Sequence, residues 1–376
     1  MIDERTEKPF YSTLGGIRGI AATAVFIRHF SPFMASRFYH SYLAVDLFFM
    51  LSGFVLGTVY DGPLRTRTLS VYTFVKLRIT RLYPLFFLGS LTGLIASLLT
   101  VTYWGSHLTS YAAWLPGTPV TSLTAAFLFS LLMLPSIFSA TLFPLNGPAW
   151  TLFYEIIANG FYAFIRPYLS WRSLSFVVVL CGCGILACAL IYRSIDVGFF
   201  WKDMPAGFTR TAYSFSMGLL LAEARKKSFV ALWAQQNSFI AIGILVLVGS
   251  FLAMPSYAGF DPYYDLIAVF LLFPVLVLSA TLYEAKVEYI KIFNVLGKTS
   301  YGVYILHVPF SALIAIIYSE MFRSKINPLY GAWALFPCLV ASAFVLDRYY
   351  DWPTRRLLQS AIMPLMPSNK NARSNN

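Results

Sequence analysis

Long apolar segments constrain this chain of 376 residues more than any other feature of its sequence. Read with a window of about 19 residues, the chain contains eleven of them. Each is close to the ~17–25 residues that a membrane-spanning helix needs. They lie near positions 14–33, 42–60, 84–104, 122–141, 149–167, 174–193, 206–223, 237–255, 263–283, 300–318 and 330–347. Because a helix satisfies its backbone hydrogen bonds within its own segment, the sequence predicts an all-α fold, a polytopic membrane helical bundle.

The composition supports a membrane protein and argues against several other classes. Hydrophobic residues make up 58% of the chain and charged residues only 12%, more apolar surface than a water-soluble fold of this length buries. The net charge is +12, but the basic residues lie between apolar segments instead of forming one stripe. That placement is typical of topology signals, so we expect membrane lipids as partners and no nucleic acid. The four cysteines lack paired spacing with histidines, which predicts no metal site.

The connections between apolar segments are short, so no soluble domain is inserted. We expect a cytoplasmic N-terminal segment at 1–13, a membrane domain at 14–357 and a polar cytoplasmic tail at 358–376. The N-terminus is polar, and no small-residue cleavage site follows the first apolar segment. The sequence therefore predicts no cleavable signal peptide.

Lysine and arginine residues indicate the orientation of the bundle. Loop 105–120 has neither residue, whereas loop 61–83 has five of them, namely Arg65, Arg67, Lys76, Arg78 and Arg81. The positive-inside rule places loop 61–83 and both termini in the cytoplasm. We expect the membrane to be a bacterial inner membrane. The later basic loops also lie on the cytoplasmic side only if one of the eleven segments does not cross the membrane. We expect this to be segment 149–167, which contains Glu155 and Asn159. The prediction is about ten crossings plus one re-entrant or buried helix.

The first apolar segment carries two ionisable residues that need an explanation, Arg18 and His29. They are eleven residues apart, which is about three helical turns and a rise of ~16 Å along one face. An ionisable group in a membrane helix costs at least ~2.5 kcal/mol and usually marks a pathway or a site. Small residues such as Gly15 and Gly19 predict that neighbouring helices approach this one closely.

Later segments contribute further candidate side chains. They are Asp46, Ser52, Arg78, Arg81, Trp150, Glu155, Tyr304 and His307. Arg78 and Arg81 lie one turn apart at the expected inner mouth of the third helix, where topology alone would explain them. Asp46 also suits a structural partner of an intramembrane arginine, His307 suits a core histidine, and Ser52 suits helix packing.

Six motifs in this order resemble the acyltransferase 3 family of integral-membrane O-acyltransferases, over about 14–357. The motifs are GIRGIAATAVFIRH, VDLFFMLSGFVL, RITRLYP, AWTLFYE, SYGVYILHVP and DWPTRR. The resemblance implies transfer of an acyl group, often acetyl from acetyl-CoA, to hydroxyls of cell-envelope glycans, lipid-linked sugars or secreted small molecules. Two motifs depart from the family pattern, with Trp-Thr-Leu in place of Trp-Ser-Leu and Asp-Trp-Pro in place of Glu-Arg-Pro.

Acyl transfer from a thioester to an alcohol explains these side chains chemically. A base must take the hydroxyl proton, and histidine, with an ordinary pKa near ~6.5, suits that task. His29 is the expected base, and Glu155 or Asp46 is expected to orient its imidazole. Guanidinium groups bind phosphates through forked hydrogen bonds. The residues expected to bind the phosphates of acetyl-CoA are Arg18, Arg78 and Arg81.

Two other functional classes compete with this interpretation. A proton-coupled transporter or a flippase of a lipid-linked sugar could use His29, Glu155 and Asp46 as a proton relay. The chain shows no internal repeat, however, and its basic cluster faces the expected cytoplasmic side. A structural scaffold would not need Arg18 and His29. The sequence therefore favours a metal-independent acyltransferase that takes acyl groups from cytoplasmic acyl-CoA.

Overall fold

A computed structural model describes residues 11–30, 38–101, 120–227, 235–257, 259–322 and 328–362. These residues form twelve main helices: α1 (Ser12–Phe30), α2 (Ala44–Val59), α3 (Val71–Leu99), α4 (Val120–Leu131), α5 (Trp150–Ile165), α6 (Trp171–Tyr192), α7 (Met204–Lys227), α8 (Ser238–Leu252), α9 (Asp261–Leu282), α10 (Val287–Phe322), α11 (Pro328–Leu346) and α12 (Trp352–Ile362). A π-helical turn interrupts α9 at Ala268–Leu272, and another joins α11 to α12 at Asp347–Asp351. Two short strands, β1 (Gln235–Gln236) and β2 (Tyr283–Glu284), pair in parallel. The predicted all-α fold is confirmed.

Four stretches of helix in the described residues are long and apolar enough to cross a membrane: Tyr39–Val59, Val71–Leu99, Trp171–Tyr192 and Asp261–Leu282. The third of these turns an almost wholly apolar surface away from the protein, with Phe176, Val179 and Leu190 exposed. An apolar face of this kind is stable against lipid chains and unfavourable in water. The chain is an all-α membrane protein.

Helix α3 begins well before the apolar segment that predicted it. Ser70 caps its N-terminus, where the Ser70 hydroxyl accepts a hydrogen bond from the backbone N–H of Thr73 at 3.1 Å. The helix then continues through Pro84 to Leu99. Arg78 and Arg81 therefore lie within the first three turns of α3, and the expectation that they belong to a loop is wrong.

Helix α4 ends earlier than predicted, and the chain then turns back along α3. Met133 adopts a left-handed backbone conformation with φ of 54°, which ends the helix just after Leu131. The Tyr83 hydroxyl donates to the Leu131 carbonyl at 3.0 Å, so this end of α4 lies beside the first half of α3. The returning segment 132–149 contacts α3 again where a Cβ on Gly93 would overlap the Leu145 carbonyl. Surrounding protein allows this irregular backbone in a membrane domain.

Helices α1 and α10 pack closely through small residues. A Cβ on Gly297 would lie 2.8 Å from the Cα of Gly15, and a Cβ on Gly19 would meet Leu296. The predicted close approach of neighbouring helices to α1 is therefore confirmed, because only glycine fits at these contacts. The packing fixes α1, which carries Arg18 and His29, against the helix that carries the SYGVYILHVP motif.

An ionic cluster at one end of the bundle joins residues just after α2 and α5 with residues near the C-terminal end of α7. Arg166 donates to Asp61, and the ammonium group of Lys226 lies 3.0 Å from the Asp61 carboxylate. Arg166 also lies 3.4 Å from Glu223. Burial alone would raise the pKa of Asp61, but the hydrogen bonds and charges of Arg166 and Lys226 hold that pKa below its usual value. These three helices therefore end on the same face of the protein.

The opposite face is marked by contacts among other connections. Arg28, near the end of α1, forms an ion pair with Asp196 after α6 at 2.7 Å. The His40 ring lies 3.0 Å from the carbonyl oxygen of Met254, which follows α8. The segments around these residues lie together at the far end of the bundle from the Asp61 cluster.

Candidate active site

A central cavity lies between α1, α2, α3, α5 and α10. Its empty volume is about 650 Å³, part of it open to solvent. The polar side chains that line it are Arg18, Ser52, Arg78, Arg81, Thr151, Glu155, Ser300, Tyr301 and Tyr304. The fold thus gathers six of the side chains that the sequence singled out, from five separate helices, around one space.

Glu155 is held at the cavity wall by two donors. The Arg78 guanidinium donates to Glu155 Oε1 at 2.8 Å, and the Ser52 hydroxyl donates to the same oxygen at 2.7 Å. Ser52 therefore has a polar role in addition to helix packing. The expectation that Glu155 orients the imidazole of His29 is not met in the structure, because both observed donors to this carboxylate come from α2 and α3.

The two other arginines of the cavity, Arg18 and Arg81, do not form an ion pair of the kind that Arg78 forms with Glu155. Among the residues that the structure describes, neither Arg18 nor Arg81 donates a hydrogen bond or forms an ion pair. Three guanidinium groups thus face one carboxylate, and two positive charges are left without a bonded counter-charge. Charged groups inside a membrane domain are stable only with partners of opposite charge or with water. This part of the cavity can therefore bind an anion.

Asp46 lies outside the cavity and pairs with an arginine from α7. Arg210 approaches Asp46 Oδ2 at 2.6 Å, and both side chains have no solvent exposure. Arg210 also donates to the carbonyl oxygens of Val197 at 2.8 Å and Tyr42 at 3.2 Å. Asp46 is thus the partner of an intramembrane arginine, one of the two interpretations left open by the sequence. The expectation that it orients His29 is not met, because Arg210 engages both carboxylate oxygens.

Sequence reasoning missed Arg210, although a signal for it was present. It is the one arginine within the apolar segment 206–223, and such a charge requires a buried acidic partner. Trp150 belongs to the same arrangement, since its ring centroid lies 5.8 Å from the guanidinium carbon of Arg210. The distance permits a cation–π contact. Trp150 therefore contacts the buried ion pair and does not line the cavity.

His29 and His307 contact each other beyond the cavity. His29 Nδ1 lies 3.2 Å from His307 Nε2, and His307 Nδ1 lies 2.6 Å from the carbonyl oxygen of Tyr304. His307 is buried and His29 is exposed. Because α1 is continuous, the ~16 Å rise between Arg18 and His29 separates the arginines from this histidine pair.

Tyr304 connects the two parts of the site. Its side chain lines the cavity, its hydroxyl lies 3.0 Å from the Thr151 hydroxyl, and its backbone carbonyl contacts His307. The Thr151 hydroxyl also donates to the Pro148 carbonyl at 2.9 Å.

Asn146 is a second residue that sequence reasoning did not single out. It is buried, and neither atom of its amide has a hydrogen-bond partner among the described residues. Its Nδ2 packs against Gly89 next to the backbone of Ile305, two residues before His307. Buried amides are rarely left unpaired, and the NGPAW turn that contains Asn146 is the feature that could have identified it.

Comparison with known proteins identifies the chain. A family model described as an acyltransferase domain, that of the acyltransferase 3 family, matches residues 11–348. A protein of Rhizobium radiobacter named protein 2 in picA locus is 40% identical over 165 residues, which covers 40% of this chain and 79% of that protein. No solved structure shows a significant match. The chain belongs to the acyltransferase 3 family and is a membrane acyltransferase.

Proposed function

We propose that the protein transfers an acyl group, most simply acetyl, from cytoplasmic acyl-CoA to a hydroxyl of a cell-envelope glycan or a lipid-linked sugar. The observation that carries this proposal is the pair of cavity arginines, Arg18 and Arg81, which form no ion pair and donate no hydrogen bond to a described residue. They supply donors for phosphate oxygens at the wall of the cavity.

The separation between the arginines and the histidines fits the shape of the donor. CoA carries its phosphates at the nucleotide end and its thioester at the far end of an extended pantetheine arm. A site for this molecule needs cations at one place and the reacting group at another. Arg18 and His29 lie on one helix with a rise of ~16 Å between them, and the proposal assigns them to these two ends.

The reaction requires one base and a route for one proton. His29 takes the proton from the acceptor hydroxyl at Nε2 as the hydroxyl oxygen attacks the thioester carbonyl. The new carbon–oxygen bond forms, the carbon–sulfur bond breaks, and the proton passes from His29 to the departing CoA thiolate. No metal takes part in this proposal.

The competing transporter hypothesis has less support. A proton relay needs carboxylates that can gain and lose protons. Glu155 is bonded to Arg78 and Asp46 is bonded to Arg210, so each carboxylate is already engaged in an ion pair. These two residues are therefore poorly suited to the relay role.

The donor site predicts a specific loss of affinity. Arg18→Gln and Arg81→Gln should each weaken acetyl-CoA binding by about tenfold or more, because a charge-assisted hydrogen bond contributes roughly 1.5–3 kcal/mol. Added salt should weaken wild-type binding in the same direction. Equilibrium dialysis of purified protein against labelled acetyl-CoA measures both effects. Arg67→Gln is the matched control, since Arg67 is exposed and bonded to Tyr168. If both cavity variants bind acetyl-CoA with wild-type affinity, Arg18 and Arg81 do not bind the donor.

The proposed topology has both termini in the cytoplasm of a bacterial inner membrane, with about ten crossings. The Asp61 cluster, which includes Arg166 and Lys226, marks the cytoplasmic face. The returning segment 132–149 lies toward the opposite face, because it contacts residues just before α7. The Ala140 carbonyl accepts a hydrogen bond from the Trp201 N–H at 3.1 Å. In this arrangement α4 and the returning segment 132–149 form a re-entrant unit. Helix α5 then crosses the membrane, whereas the sequence analysis expected segment 149–167 not to cross.

Thiol labelling can distinguish these two topologies. In a cysteine-free background, Ala140→Cys should react with a membrane-impermeant thiol reagent added outside, and Tyr168→Cys should react only from the cytoplasmic side. Both positions are exposed in the structure. Reaction of Ala140→Cys only from the cytoplasm would mean that α4 crosses the membrane and that α5 is the re-entrant or buried helix.

Acyl-group analysis of the envelope tests the proposed function directly. Glycans and lipid-linked sugars from strains with and without the gene should differ in ester-linked acyl groups, which mild alkali removes. Reintroducing the wild-type gene should restore these esters, and reintroducing the His29→Ala gene should not. Identical ester content in all strains would contradict the proposal.

A further inference from the structure

The imidazole rings of His29 and His307 each lie next to a backbone carbonyl. These carbonyls determine which ring nitrogen carries the hydrogen. His29 Nδ1 lies 2.9 Å from the Val25 carbonyl oxygen, and His307 Nδ1 lies 2.6 Å from the Tyr304 carbonyl oxygen. A carbonyl oxygen only accepts hydrogen bonds, so each Nδ1 is the donor. In the neutral imidazole the other nitrogen then carries a lone pair.

The third contact agrees with this assignment. His29 Nδ1 and His307 Nε2 are 3.2 Å apart, and the contact needs one donor and one acceptor. With hydrogen on both Nδ1 atoms, His29 donates to the Nε2 lone pair of His307 as well as to Val25. His29 Nε2 is left as a lone pair to which no described residue is bonded, on a side chain that is exposed.

We propose that His307 is a positioning residue for His29, a role that rests on the proposed function because it takes His29 as the base. By accepting the Nδ1–H bond, His307 fixes the ring of His29 and presents its Nε2 to the reacting hydroxyl. When Nε2 takes the proton, the imidazolium keeps its Nδ1–H bond to neutral His307, and the proton leaves later from Nε2. His307 itself does not contact the substrate.

A neutral partner takes the place that a carboxylate occupies in many histidine-containing sites. The carboxylates that the sequence offered for this role, Asp46 and Glu155, are bonded to arginines elsewhere. His307 is only 1% exposed, and the Tyr304 carbonyl fixes its orientation. It can therefore hold the His29 ring without adding a charge to the membrane domain.

Two isosteric substitutions separate this role from a merely structural one. In His307→Gln the amide oxygen can reach the position of Nε2 and accept from His29, whereas in His307→Asn the shorter side chain reaches only the position of Nδ1. We expect His307→Asn to lower turnover about tenfold or more, the effect of one lost hydrogen bond. His307→Gln should retain turnover within about threefold, and both should bind acetyl-CoA as the wild type does.

The measurement uses radiolabelled acetyl-CoA and envelope glycan extract as probes, with turnover corrected for folded protein. His40→Gln and His40→Asn are matched controls, because His40 is another buried histidine with Nδ1 near a carbonyl, at 3.0 Å, and lies outside the site. Equal turnover of His307→Gln and His307→Asn would overturn the positioning role, even if His29→Ala removes transfer and so supports the proposed function.

A second readout does not depend on transfer activity. Nitrogen NMR of isotope-labelled histidines should show hydrogen on His29 Nδ1 and a coupling through the hydrogen bond to His307 Nε2. The coupling should be absent in His307→Asn. Hydrogen on His307 Nε2 in the wild type would overturn the inference. If no acyl transfer is found at all, this spectrum still decides whether His307 holds the His29 ring.

Discussion

Replacing His29 with alanine is expected to lower acyl transfer at least ~100-fold, the usual effect of removing a general base. The affinity for acetyl-CoA should stay close to the wild-type value, because Arg18 and Arg81 remain at the other end of the site. Turnover and donor affinity measured on one folded preparation of His29→Ala test both parts of this expectation.

Other roles for His29 give different results in the same experiment. A histidine with only a structural role would reduce the folded yield and leave the surviving molecules active. A histidine in a transporter would control substrate flux in a protein that never acylates anything. His40→Ala is the matched control for the loss of an imidazole. Near-normal transfer by folded His29→Ala would contradict its assignment as the base.

Breaking the buried ion pair is expected to give the largest loss of stability. Arg210→Met leaves the Asp46 carboxylate unpaired in a site without solvent exposure, and breaking such a pair costs roughly 3–5 kcal/mol. The variant should therefore unfold at markedly lower denaturant concentration or temperature than the wild type. Trp150 also loses the cation that its ring contacts.

A double substitution tests whether the unpaired charge causes this loss. Asp46→Leu combined with Arg210→Met removes both charges and should recover much of the stability lost in Arg210→Met. Arg67→Met is the control for loss of an exposed arginine and should have little effect. Wild-type stability in Arg210→Met would show that the pair contributes little to the fold.

The sequence contained enough information to identify the helices that form the site. Gly15 and Gly19 predicted the close packing of α1, and the charged residues in apolar segments predicted which helices face the interior. These inferences succeed because the membrane imposes a strong penalty on exposed polar groups. Arg18, Arg78, Arg81 and Glu155 do converge on one cavity.

The pairing of these side chains could not be predicted in the same way. Asp46 and Arg210 are 164 positions apart in the chain, and His29 and His307 are 278 positions apart. The sequence around each of these residues does not determine which side chain it meets across the bundle. Helix packing determines these pairings. In the structure Glu155 and Asp46, the two carboxylates expected to contact His29, are each paired with an arginine instead.

Helix boundaries also depended on local backbone features that hydropathy does not register. The Ser70 cap extends α3 through a polar, basic stretch, which moves Arg78 and Arg81 from a loop into the helix. The left-handed conformation of Met133 ends α4 in the middle of an apolar segment. A hydropathy window averages over both features and therefore misplaces both boundaries.

We propose that this protein moves an acyl group from acyl-CoA to an envelope hydroxyl and uses His29 as the base. The most direct measurement follows radiolabelled acetyl-CoA in vesicles that contain the purified protein and lipid-linked glycans extracted from the envelope. We predict that label appears in alkali-labile esters of the glycan, that an equal amount of CoA thiol is released, and that folded His29→Ala forms neither. Equal labelling by wild type and His29→Ala would contradict the role of His29 as the base. No ester formation by wild-type protein that binds acetyl-CoA would contradict the proposed acyl transfer.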